Sequence, residues 1–99
     1  MISNTDFKIV IDEMLNIFSK KNHDYGDSFE KTMNEFGLVS SAVRLSDKMN
    51  RFKSLISSEC EVQDEKIEDT LLDLANYAIL TTIWIRKNDL SSNKEPKLN

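Results

Sequence analysis

The chain has 99 residues, enough for one small domain that buries only about 60 to 70% of the surface its unfolded form exposes. Thirteen Lys and Arg against seventeen Asp and Glu leave a formal charge of −4, which argues against nonspecific binding to DNA or to an acidic membrane surface; a polyanion would need a local basic patch. Cys60 is the only cysteine, so no intrachain disulfide can form and a reducing compartment is expected.

The first stretch, "MISNTDFK", has no basic region followed by an apolar run, so no secretory signal is expected. Phe7, Val10, Ile11, Met14, Leu15, Ile17 and Phe18 then recur at three and four, the period of an amphipathic helix, with Ser3 or Thr5 as its cap and Lys20, Lys21 and Asn22 at its end. "NHDYGD" reads as a turn. Asp27 and Glu30 follow in capping-box spacing ahead of Phe29, Met33 and Phe36, which predicts a short helix stopped by Gly37.

From Leu38 the apolar residues Leu38, Ala42, Leu45, Met49, Phe52 and Ile56 step by four and three, marking a long helix with one packing seam. "SSECEVQDE" breaks the pattern as a loop. Ile67, Leu71, Leu74, Ala75, Ala78 and Thr82 form the seam of a second long helix running to about Lys87. Within it "AILTTIWI" has strand propensity, but it continues the helical phase without a turn signal and is read as helix. Its apolar residues surround the axis, and a helix apolar on all sides must be covered on all sides. The expected fold is therefore all-α: a single domain over residues 1–87, a small bundle of long antiparallel helices completed by homo-oligomerisation as a dimer or tetramer, with residues 88–99 a disordered tail. "LLDLANYAILTTIWI" falls short of the roughly 20 residues that span a bilayer, so a soluble cytoplasmic protein without membrane contact is expected.

The segment "AVRLSDKMNRF" carries a second pattern. Arg44, Asp47, Lys48 and Arg51 lie within an arc of about 100° on a helix, beside the apolar seam. On the last long helix Glu65, Asp69, Asp73 and Asn76 step by four, four and three, on the side opposite Leu71 and Ala78. The simpler interpretation pairs these stripes across two packed helices, or leaves them in water, where such pairs contribute about 0 to 1 kcal/mol. The functional interpretation has carboxylates one turn apart holding Mg²⁺ while guanidinium and ammonium groups hold phosphate oxygens. Asp73 lies between Leu72 and Leu74, where an unpaired charge would cost several kcal/mol and so needs a cation or a strong donor. Tyr25 offers an aromatic plane for a base; His23 reads as a loop residue and Trp84 as interface or core. The sequence has no Cys/His cluster for zinc, no glycine-rich phosphate loop and no nucleophile elbow.

"KNHDYGDSF", "VRLSDKMNRF" and "IEDTLLDLANYAIL", in that order and spacing, resemble the phage-associated family called nucleotide modification associated domain 1, over about residues 20 to 85. That family is similar in turn to the all-α nucleotide pyrophosphatases of the MazG type, which hold Mg²⁺ with carboxylates from two helices and assemble as dimers or tetramers. The resemblance implies an oligomeric, virus-encoded nucleotide handler acting in the host cytoplasm. The pyrophosphatases' second acidic motif matches Asp69 and Asp73, with Glu68 beside them. Their first motif, a run of glutamates, is replaced here by Arg44, Asp47, Lys48 and Arg51, so carboxylates are scarce for a two-metal site.

The expectations are then specific. Arg44, Lys48 and Arg51, with Lys21, Asp24 and Tyr25, contact a nucleotide; Asp47, Asp69 and Asp73 hold Mg²⁺; Asp69 and Asp73 are the catalytic pair if a phosphoanhydride is hydrolysed. The alternative is a noncatalytic phage protein that sequesters a host nucleotide-derived immune signal, since added cations favour phosphate affinity over metal ligation. A third is an interaction module whose stripes only set helix register. Direct binding of nucleic acid is not expected.

Overall fold

The computed structural model describes residues 1–25, 27–57 and 64–91, and the side chains of these except 23–25, 64–66, 90 and 91. Four helices and no strand occur among them: α1 (Asn4–Tyr25), α2 (Ser28–Phe36), α3 (Leu38–Ser57) and α4 (Asp64–Ser91). The all-α expectation holds, including a helix through "AILTTIWI". Among the described residues no helix is long and apolar enough to cross a membrane.

Local sequence explains where the helices begin and turn. Ser3 caps α1: its hydroxyl accepts the Asp6 N–H at 3.1 Å and its own N–H donates to the Asp6 carboxylate at 2.9 Å, a reciprocal box that satisfies two groups at the helix start. α1 then runs through Tyr25, beyond the expected end at Asn22. Asn and Asp favour turns but tolerate a last helical turn, so composition alone misplaced this boundary. At α2 the expected box does not form. Asp27 makes no side-chain cap, and its carboxylate lies 3.7 Å from the Lys31 ammonium instead.

Gly37 stops α2 as expected. Its N–H donates to the Met33 carbonyl at 2.7 Å and its φ of 74° with ψ of −159° lies in a region open essentially to glycine alone. One residue thus joins α2 to α3 and sets the angle between them, over the fully buried Met33.

The seams differ from the sequence pattern. α3 meets α4 through Ser41 with Thr81, Arg44 with Tyr77, and Lys48 with Asp73. The Thr81 hydroxyl donates to the Tyr77 carbonyl at 2.7 Å, so Ser41 donates to Thr81. The expected α3 seam is turned elsewhere: Leu38, Ala42, Met49 and Ile56 are exposed, and only Leu45 and Phe52 are half-buried. On α4, Leu71, Ala78 and Thr82 are exposed too, while Thr70 is buried. Both helices are apolar on more than one side, so period alone could not say which side meets the neighbour. Of the described apolar side chains only Met14 and Met33 are buried; Val39 is 69% exposed and Phe36 63%. α4 also runs a turn past Lys87, making Asn88 to Ser91 helical; residues 92–99 of the expected tail and 58–63 of the expected loop lie outside the described residues.

Gly37→Ala should cost about 1 to 3 kcal/mol of stability in a urea titration. A Cβ there meets nothing within 4 Å, so the whole loss is conformational.

Candidate functional site: a cationic hollow between two long helices

The α3 stripe converges as its spacing predicts. Arg44, Asp47, Lys48 and Arg51 line one hollow of about 250 Å³, closed from the α4 side by Tyr77. Three cations against one carboxylate give it a surplus of 3 − 1 = +2 in a chain of net −4.

Each cation is placed differently. The Arg44 guanidinium lies 5.3 Å from the Tyr77 ring centroid and donates to the Tyr77 hydroxyl at 3.2 Å, so ring and hydroxyl together fix it. Tyr77 is itself stacked on Phe29 of α2, centroids 6.1 Å apart. Lys48 donates to Asp73 at 3.0 Å, both side chains being 29% exposed. Arg51 forms no ion pair or hydrogen bond with another described residue and lines the hollow.

Asp73 has the cationic partners its apolar surroundings demand. Its second oxygen accepts from Lys21 of α1 at 3.3 Å, so one carboxylate joins α1, α3 and α4. Lys21, Asp73 and Tyr77 line a smaller hollow of about 110 Å³ with Phe18, Asn22 and Phe29. Tyr77 belongs to both hollows.

The other expected site residues are not gathered. Asp69 is exposed and lines neither hollow, and Asp47 is exposed on the rim of the larger one. Among the described residues no three His, Cys, Asp or Glu side chains are grouped to hold a metal ion. Asp24, Tyr25 and His23 belong to the last turn of α1, but their side chains lie outside the described residues, as does Cys60. Sequence reasoning missed Tyr77 and Phe29. Tyr77 stands four residues after Asp73, one turn along the same face of α4, and that spacing was the available signal.

Lys48→Met should cost about 1 to 3 kcal/mol by denaturant titration, because it strips a part-buried carboxylate of one of two partners. Lys8→Met, which breaks the exposed 2.8 Å pair with Asp12, should change stability by less than about 0.5 kcal/mol.

No curated protein and no solved structure matches the chain. A family model does, over residues 21–85, which is 85 − 21 + 1 = 65 of the 99 residues and holds every cation and carboxylate of both hollows. On that match the chain belongs to the family described as nucleotide modification associated domain 1.

Proposed function

We propose that the chain binds the phosphate groups of a nucleotide in the hollow of Arg44, Lys48, Arg51 and Tyr77. The observation that carries this reading is the local surplus of two positive charges in an acidic chain, gathered on one face of α3 and walled by Tyr77 of α4. Guanidinium forks and an ammonium are the donors that phosphate oxygens take in pairs or singly. Arg44 and Lys48 are held in place by Tyr77 and Asp73, so less side-chain freedom is lost when an anion arrives. Asp73 meanwhile occupies two ammonium groups, Lys21 and Lys48, that a phosphate could share. The family's description, a domain associated with nucleotide modification, supports a nucleotide over other anions.

The donor set does not fit a resident pair of magnesium ions. Magnesium takes one or two carboxylates and completes its shell with water and substrate phosphate. Asp69 stands exposed outside the hollow and Asp73 is taken by two lysines; Asp47 alone is on the rim, where it could touch a cation carried in on the phosphates. The reading is therefore binding, with sequestration of a nucleotide as its consequence. Hydrolysis of a phosphoanhydride is the second reading, favoured by Asp69 and Asp73 one turn apart on α4.

Calorimetry with the four deoxynucleoside triphosphates tests both. Arg51→Ala should weaken binding about tenfold or more without affecting the fold, the loss expected for one charge-assisted contact. Asp69→Asn, at an exposed carboxylate outside both hollows, should leave binding intact with the ligand recovered whole; turnover in the parent chain that disappears in this variant would establish the hydrolase instead. No heat with any mono-, di- or triphosphate would reduce the stripes to setting helix register.

We propose further that the working form is a homo-oligomer. A chain that buries so few of its described apolar side chains, and leaves Val39, Val43, Ile79 and Ile83 exposed on α3 and α4, has surface that a second copy would cover. Light scattering at micromolar concentration should return a mass well above 11.4 kDa. A monomer would refute it.

A further inference from the structure

We infer that the cleft beside Trp84 takes the base of the nucleotide whose phosphates lie against Arg44, Lys48 and Arg51, an assignment that rests on the phosphate site proposed above. The cleft has a volume of about 210 Å³ and three aromatic side chains in its walls, Phe18 of α1, Phe29 of α2 and Trp84 of α4, with Leu80 between them. Aromatic faces stack on any base, whatever its hydrogen-bonding edge. The indole N–H of Trp84 donates to the Asn34 side chain at 2.9 Å, which fixes the plane of the ring. Asn22, also in the lining, has both a donor and an acceptor to offer a base edge.

Shared walls link this cleft to the cationic hollow. Phe18, Asn22, Phe29 and Leu80 also line the smaller hollow that holds Asp73, and Tyr77 is the wall common to that one and the hollow of Arg44 and Arg51. Along α4, Trp84, Leu80, Tyr77 and Asp73 step by four, three and four on one face. Eleven residues at the helical rise span roughly 16 Å, the length of a base, a sugar and more than one phosphate.

Charge sets the direction. The aromatic end carries Asp27, Glu30 and Lys87, a formal 1 − 2 = −1, against +2 at the other end. A polyanionic tail is therefore repelled from the aromatic end and drawn to the cationic one, so the ligand can lie only one way round. The assignment gives Trp84 and Phe29 the base contact that the sequence suggested for Tyr25.

Trp84 is the only tryptophan, so emission excited selectively at tryptophan reports on this cleft. The probes are the four deoxynucleoside triphosphates and inorganic tripolyphosphate, each followed by calorimetry and by tryptophan fluorescence. Nucleotides should change the emission and bind about tenfold or more tightly than tripolyphosphate, which should leave the emission unchanged. Trp84→Leu should abolish that difference while binding tripolyphosphate as the parent does, and this retained binding shows that the variant is folded. Equal affinity for nucleotides and tripolyphosphate, with unchanged emission, would overturn the base assignment and leave the phosphate site standing. Emission that follows protein concentration but not nucleotide would also overturn it, because a second copy would then fill the cleft. If tripolyphosphate fails to bind along with the nucleotides, the phosphate reading itself falls.

Discussion

A carboxylate set among leucines governs how this molecule is put together. Asp73 follows Leu72 and precedes Leu74 on the most apolar helix, where a bare charge would cost several kcal/mol. It is satisfied by Lys48 of α3 and Lys21 of α1 at once, so the demand of one side chain draws three helices to a single point. The same requirement brings the cationic face of α3 against α4 and places Arg44 over Tyr77.

The cost of that arrangement is carried by the apolar residues. Hydroxyls, an arginine and an ion pair take part in the contact between α3 and α4, while Leu38, Val39, Val43, Met49 and Ile56 of α3 are left exposed. A buried polar contact is satisfied only in one register, since each donor must find its acceptor, whereas apolar stripes tolerate sliding. Polar pairs thus fix how α3 lies on α4. The stripe that a folding argument would have placed inside is available for other surfaces to cover.

The proposed nucleotide site rests on the same geometry. Cations of one helix and an aromatic residue of the next form a hollow of positive sign in a negatively charged chain, and the same aromatic residue walls a smaller hollow that shares Phe18, Phe29 and Leu80 with a cleft of opposite sign. A ligand with an anionic end and a flat apolar end suits such an arrangement, and nucleotides are the abundant molecules of that kind. Membership of a family described by its association with nucleotide modification agrees with the chemistry but does not specify it.

Sequence alone determined the helices and the sign of their faces. Period gave α1, α3 and α4, glycine gave the break at Gly37, and the clustering of Arg44, Asp47, Lys48 and Arg51 on one arc was legible because four residues within two turns cannot avoid sharing a side. The need of Asp73 for a cation was legible too, from the cost of its surroundings. What only the tertiary structure decided was which face met which. Asp69 and Asp73 share a stripe, yet one is exposed and the other is paired twice, because α1 and α3 both approach at the level of Asp73 and neither ion pair reaches Asp69. Tyr77 and Phe29 acquired their place in the same way: helical spacing fixes a side chain's direction from its own axis, and the neighbour in that direction is chosen by packing among segments far apart in the chain.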